Sequence, residues 1–306
     1  MSSVTAGLCG ILLLDKPAGL SSNAALQRVR WLLGRPKAGH TGSLDPLATG
    51  MLPICIGEAT KLAGELLAGR KGYTFELLLG ARTDTADAEG QVIEQRAVPP
   101  LTEVQIQAAL ATMRGPQLQV PPMYSALKRA GEPLYRLARR GVVVERAARP
   151  IELYVLELLA WSPTTLSLRV ECSKGTYVRV LAEQLAGLLG TCGHLTALRR
   201  DFVEPFRGQP MQTLAEVEAS APAPRLLGAD SGAGHLPALR LDEARARAMR
   251  YGQVVQVAPD TEGTVRLYDP QGRFLGLGER SAEGAVRVRR LFAEPQAPPV
   301  VTICSA

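Results

Sequence analysis

Apolar and polar positions along the chain switch between strand-like and helix-like periods. Residues 10–14 (GILLL) are a short apolar run closed by Asp15-Lys16-Pro17, which reads as a buried strand. Lys16-Pro17-Ala18-Gly19 is turn chemistry. Ser21 or Ser22 can then cap a helix to about Leu33, with Gly34 as its stop. Leu26, Val29 and Leu33 share one face of it, while Gln27, Arg28 and Arg30 lie elsewhere. Residues 39–50 read as a glycine-punctuated loop, 73–80 (YTFELLLG) as a strand, and TDTADAEG from Thr83 as a polar loop. Thr102 followed by Gln105 forms a capping box that opens a helix to about Met113. Leu166, Leu168, Val170 and Cys172 alternate with Ser167, Arg169 and Glu171, the pattern of a half-buried strand. Lys174-Gly175-Thr176 then turns into a helix with Thr176 as its N-cap, ending at Gly190.

The stretch 219–234 is rich in Ala, Pro and Gly and reads as a linker. Beyond it, Arg240 to Arg250 is helical, and short strands follow at 253–258, 264–268, 273–277 and 285–291, with a turn at Asp269-Pro270-Gln271-Gly272. Such a tail suggests a small β-barrel module. The expected division is a larger domain over 1–230 and a small one over 235–300.

Composition narrows the class. The 306 residues, 46% of them hydrophobic, suffice for one large and one small domain. Mean hydropathy is +0.04, and no apolar run approaches the roughly 18 residues of a membrane span. The five cysteines are scattered without a CxxC pair, and the three histidines have no metal-ligand spacing. Both facts argue against a disulfide framework and a metal site, and for a reducing, cytoplasmic setting. No GxGxxG or P-loop pattern points to a nucleotide cofactor, and Asp84, Asp87 and Glu89 do not have EF-hand spacing. The net charge of +6 favours a polyanionic partner, and the arginine-rich basic set suits bidentate phosphate contacts.

Four places carry candidate chemistry. Asp45 lies in GHTGSLDPLATG (39–50). Pro46 restricts the residue before it, and Gly42 and Gly50 permit tight turns, so the carboxylate is held on a stiff loop as an attacking group requires. On spacing alone, an ordinary Asp-Pro turn accounts for the segment better. Arg179, near the start of the helix after Thr176, is mildly unfavourable against the helix dipole, which hints at a specific anionic partner. A surface arginine is the plainer reading. Tyr73, following Arg70-Lys71-Gly72, could stack on a base or fill a core. The segment 126–149 has seven Lys or Arg against Glu132 and Glu145, interleaved with Tyr135 and preceded by Tyr124. That composition fits an RNA-contact surface or a solvated helix face.

Six segments, in order, resemble the tRNA pseudouridine-55 synthases of the bacterial TruB family. They are GILLLDKPAGLSS from Gly10, GHTGSLDPLATG around Asp45, KGY at 71–73 leading to GARTDTADAEG, VPPMYSALK from Val120, SKGTYVRVLA from Ser173, and GHLTALRR from Gly193. Together they span roughly residues 10 to 202. The resemblance implies an α/β (α+β) core built on a mostly antiparallel mixed sheet flanked by helices, with a small C-terminal PUA-like β-barrel. It implies cofactor-free isomerisation of a uridine in the tRNA T-loop: the N-glycosidic bond breaks, the base turns, and it rejoins through C5. Asp45 would be the catalytic carboxylate, attacking either the base or the sugar. Arg179 would pair with it, and Tyr73 would stack on the flipped base and assist proton transfer. Tyr177 and Leu198 would line the pocket, His40 would contact RNA, and Lys16 with Pro17 would support the loop at the substrate site. The basic segment at about 120–150 would be an RNA-binding insertion. No protein partner is expected, and the enzyme would act as a monomer. Two rivals remain: a guide-RNA-dependent relative, and a tRNA-binding module without catalysis.

Overall fold

The computed structural model describes residues 8–129 and 131–296. The apolar run at the start becomes β1 (Gly10–Lys16). Next come β2 (Ala38–His40), β3 (Thr49–Ile56), β4 (Lys71–Leu79), and a small pair, β5 (Ala81–Thr83) with β6 (Val92–Gln95). These are followed by β7 (Gly115–Gln119), a second small pair, β8 (Lys128–Arg129) with β9 (Glu132–Pro133), then β10 (Arg149–Trp161), β11 (Thr165–Cys172) and β12 (Gly193–Val203). The main sheet is eight-stranded, in the order β1-β3-β12-β4-β11-β10-β7, with β2 on β3. Every pairing in it is antiparallel except β12 with β3. This is the mixed, mostly antiparallel sheet expected.

One edge of β3 is shared. β12 pairs with it only at Thr49 and Gly50, and β2 only at Ile54 to Ile56. Residues 41–48 fill the gap between these partners. The stretch 39–50 is therefore not loop throughout: strand pairing claims both its ends, leaving a short segment pinned between two strands. Gly50 makes this possible, because a Cβ there would lie 2.2 Å from the Arg200 carbonyl oxygen.

The helices on this sheet follow the apolar periods. Ser21 accepts from Ala24 N and caps α1 (Ser22–Leu32), and Leu26, Val29 and Leu33 are buried. With α6 (Leu214–Ser220), α1 packs on Leu12, Leu14, Leu52 and Ile54. α3 (Glu103–Met113) has the expected Thr102–Gln105 capping box. It packs with α5 (Val178–Leu188) over β4, β10 and β11. Helix α5 starts later than Thr176 would have it. Thr176 Oγ1 donates to the Ser173 carbonyl and does not cap, so Tyr177 is the residue before the first turn.

The opposite side of β1 and β3, with Ile11, Leu13, Met51 and Cys55, packs on α2 (Ala63–Ala68) and on the C-terminal module. The segment 219–234 is not a free linker. Leu227 and Ile11 exchange backbone hydrogen bonds of 2.9 and 3.0 Å, and Ala229, Gly232 and Ala233 are buried in a 3-10 turn. Its small residues permit close approach to Ile11. In the tail, Arg240 belongs to β13 (Ala238–Arg240), and Asp242 caps α7 (Glu243–Arg250). β14 (Val255–Gln256), β15 (Gly263–Tyr268), β16 (Phe274–Arg280) and β17 (Ala285–Gln296) complete a five-stranded sheet, ordered β13-β15-β16-β17-β14. Phe274 and Phe292 join the core behind β1 and β3, so the module is docked by apolar contact.

Candidate active site

Asp45 is carried by the pinned segment 41–48, about half of whose backbone groups are held by hydrogen bonds. Thr41 N donates to the Pro53 carbonyl at 3.0 Å. Arg200 Nη2 donates to the Gly42 carbonyl at 3.0 Å. The Ser22 hydroxyl accepts from Leu44 N at 2.7 Å and donates to the Leu44 carbonyl at 3.0 Å. Ser22, the other candidate cap of α1, thus serves the loop instead. The Pro46 carbonyl accepts from Gly19 N at 2.9 Å and from Lys16 Nζ at 3.3 Å, and Ala48 N closes a turn onto the Asp45 carbonyl at 3.1 Å. Leu44 and Ala48 anchor the loop in the core with Tyr73 and Leu198.

The tertiary fold brings α5 onto this loop. Arg179 Nε stands 2.9 Å from Asp45 Oδ2. The Arg179 side chain is only 4% exposed, whereas 40% of the Asp45 side chain remains open to solvent. Burial pushes the Asp45 carboxyl above its ordinary range, Arg179 pulls it back, and Asp87 adds to the rise. Arg179 is itself held by backbone: Nη1 donates to the Thr85 carbonyl at 2.8 Å and Nη2 to the Tyr124 carbonyl at 2.7 Å. The unfavourable dipole position is thus offset by a carboxylate and two carbonyls.

A second carboxylate belongs here that sequence reasoning treated only as part of a rejected calcium loop. Asp87 Oδ2 lies 3.8 Å from Arg179 Nε, and Asp87 Oδ1 accepts from Thr85 Oγ1 at 2.6 Å. Ala86 adopts φ +63°, unusual for a residue with a Cβ, at the turn that buries Asp87. Nothing in the acidic spacing of TDTADAEG announces which of its carboxylates turns inward. Gln119 was also missed. Its amide Nε2 donates to the Tyr177 carbonyl at 3.2 Å and its Oε1 accepts from Tyr177 N at 2.8 Å, which fixes the entry to α5.

The remaining expected residues fall into three positions. Tyr73 and Leu198 are buried neighbours in the cluster that contains Leu44. Burial raises the Tyr73 phenol, and the Arg200 guanidinium facing it opposes the rise. Tyr177 precedes α5 directly, its phenol raised by burial, with Ser125 and Arg179 nearby opposing the rise. His40 ends β2 half-buried, its Nδ1 has no hydrogen-bond partner among the described residues, and burial with Arg200 nearby lowers its pKa. Lys16 is fully buried. Its ammonium donates to the carbonyls of Pro17 at 2.8 Å, Leu20 at 2.6 Å and Pro46 at 3.3 Å, and burial pushes it down to about 8. It braces the loop from beneath and presents no surface that a substrate could touch. The basic segment 126–149 forms the β8–β9 pair, α4 (Leu134–Arg139) and extended chain leading to β10. It begins next to Tyr124, whose carbonyl holds Arg179.

A carboxylate with one oxygen fixed by a buried guanidinium, on a loop whose carbonyls and amides are pinned, is preorganised for nucleophilic work. A cleft of about 620 Å³ borders the loop, lined by Ala18, Gly19, Leu47, Glu89 and Leu198 among others.

Residues 30–178 match the N-terminal domain of the TruB family pseudouridylate synthases, and residues 237–292 match the C-terminal domain of pseudouridine synthase II TruB. The chain is 50% identical over 290 residues to tRNA pseudouridine synthase B of Xanthomonas campestris pv. campestris (strain 8004), covering 93% of this chain and 94% of that one. It is 51% identical over 292 residues to tRNA pseudouridine synthase B of Stutzerimonas stutzeri (strain A1501), covering 92% and 95%. In fold it is similar to a chain of a solved Cbf5-Nop10-Gar1 complex, with a TM-score of 0.70 at 22% identity over 92% of this chain and 84% of that one.

Proposed function

The chain belongs to the TruB family of pseudouridylate synthases, and on that premise we propose that it converts uridine 55 of the tRNA T-loop to pseudouridine, with Asp45 as the attacking carboxylate. The observation that carries the assignment to Asp45 is its ion pair with buried Arg179 at 2.9 Å, combined with a side chain still 40% exposed. One oxygen is oriented while the group stays reachable, which suits a nucleophile that carries one fragment while the base turns.

The reaction needs no oxidant. The N1–C1′ bond breaks, a C5–C1′ bond forms, C5 loses its hydrogen and N1 gains one. The enzyme supplies position and charge. The target base must leave its stack, at a cost of a few kcal/mol. Stacking on Tyr73 offsets part of this, about 1–3 kcal/mol. Leu198 and Tyr177 wall the same pocket, and His40 meets the RNA beside it. Arg179 keeps Asp45 ionised against the burial that raises its pKa. The basic segment 126–149 grips the T-arm backbone, and the enzyme works in the cytoplasm as a monomer without a protein partner.

The test is mass-spectrometric mapping of pseudouridine in unmodified tRNA, and in an isolated T-arm stem-loop, after treatment with the purified protein alone. Modification confined to position 55 is expected. If no product forms without added proteins, the stand-alone reading is lost. If Asp45→Asn turns over normally, Asp45 is lost from the mechanism.

A further inference from the structure

Arg200 occupies the point where three strands of the main sheet meet. Its backbone pairs with Gly50 of β3 on one side and with Tyr73 of β4 on the other. Its side chain is among the largest fully buried ones, with the residue 1% exposed. Nε donates to the Met51 carbonyl at 2.7 Å and Nη2 to the Gly42 carbonyl at 3.0 Å. Among the described residues it forms no ion pair, no carboxylate oxygen lying within 4.0 Å. Its sequence neighbour behaves in the opposite way: Arg199 makes a two-pronged pair with Asp15 at 2.9 and 3.0 Å.

A buried cation held only by carbonyls is oriented but not neutralised. Its field reaches the groups around it. Arg200 contributes to the depressed pKa of Lys16, Lys71 and His40, each of which burial lowers first. The groups that bear on the Tyr73 phenol are Arg200 on β12, Cys172 on β11 and Asp45 on the loop. Only Arg200 among them favours the ionised phenol.

We propose that Arg200 is a positioning residue for the isomerisation: it ties the Gly42 end of the Asp45 loop to the strand that carries Tyr73, and its unpaired guanidinium faces the Tyr73 phenol as that group relays a proton. This rests on the reading of Tyr73 as a proton-transfer group. The relay is balanced. The phenol gives its proton to N1 of the severed base. After C5 has bonded to C1′, the phenolate takes the proton from C5, and the C5–H electron pair restores the C5–C6 double bond.

The experiment compares single-turnover rates and dissociation constants on a T-arm stem-loop for wild type, Arg200→Met, Arg200→Lys and Tyr73→Phe. Arg200→Met should bind within about threefold of wild type but react about 100-fold more slowly near neutral pH. In a Tyr73→Phe background, where no phenolate can form, the cost of Arg200→Met should shrink to about tenfold, the part due to the loop tie. Arg200→Lys keeps the charge but not the double reach, so it should lose only about three- to tenfold in rate. A merely structural role would lower the rate by the same factor with and without Tyr73→Phe, and that result overturns the proposal. So does a wild-type rate in either Arg200 variant. If circular dichroism shows Arg200→Met unfolded, the Arg200→Lys rate with and without Tyr73→Phe decides alone. Tyr73→Phe separates the two readings: a fast Tyr73→Phe removes the premise, while a slow Tyr73→Phe beside a fast Arg200→Met removes only the role of Arg200.

Discussion

Buried charge is handled differently in the two sheets. In the C-terminal module it is paired and spent on turns. Asp269, buried, accepts from Gln271 N at 3.1 Å, Arg273 N at 2.9 Å and Arg273 Nε at 2.7 Å. Arg280, buried, meets Asp260 at 3.0 Å and the Thr261 carbonyl at 2.6 Å. Beneath the Asp45 loop, Lys16, Lys71 and Arg200 are buried on carbonyls, with no carboxylate partner among the described residues. Such an arrangement stabilises a fold poorly. It holds a loop still and surrounds it with positive potential, and perturbed groups gather at sites that do chemistry. Under the proposed function, the paired buried charges serve the fold and the unpaired ones serve the reaction.

Five substitutions sharpen or break this contrast. Asp45→Asn should lower single-turnover pseudouridine formation by about 10⁴-fold or more while leaving stem-loop affinity intact, measured by mass spectrometry and filter binding. Arg179→Ala should cost about 10²–10³-fold in rate, as for a lost charge-positioning donor. It should also move the acidic limb of the rate profile to higher pH, because Arg179 holds the Asp45 carboxyl down against burial and Asp87. Lys16→Met should reduce the rate by about 10- to 100-fold with affinity nearly unchanged, since it releases the Pro46 and Leu20 carbonyls and lets the loop shift. In the other sheet, Asp269→Ala should lower stability by about 1–3 kcal/mol in urea titration and leave stem-loop turnover within about twofold. A rate loss there equal to that of Lys16→Met would dissolve the contrast.

The smallest effect is expected from Glu171→Gln. Hydrogen bonds from Arg207 and Arg169 hold the Glu171 carboxyl down at about 2, against an ordinary 4.5. A depressed acid contributes stability above its unfolded pKa and loses it as pH falls. The variant should therefore be less stable near pH 7, by no more than about 1 kcal/mol given its solvent-exposed arginine partners. The gap should close between pH 4.5 and about 2.

Legibility followed how local each feature is. The capping box at Thr102, the apolar face of α1 and the alternation in β11 were readable, because each depends on residues within one or two turns or a few pleats. β10, thirteen residues long, was not foreseen. Its Ile151, Leu153 and Leu156 are buried while its other end is exposed, so no single period runs through it. The β12 pattern is likewise interrupted by register shifts between Leu195 and Ala197 and between Arg200 and Phe202. The close packing of the linking stretch 219–234 was not readable, because Ala and Gly suit both a loose chain and a closely packed turn.

By itself, the sequence determined the Thr102 capping box, the short-period strands, the stiff Asp-Pro loop and a set of motifs specific enough to point to one family. These are properties of neighbouring residues and of residue type. Only the tertiary structure decided that Arg179 meets Asp45 at 2.9 Å, that Asp87 turns inward beside it, and that Lys16 and Arg200 lie beneath the loop with no carboxylate partner among the described residues. Each of those facts depends on a contact between distant segments. Burial, which gives those charges their energetic meaning, exists only once the sheet has closed over them.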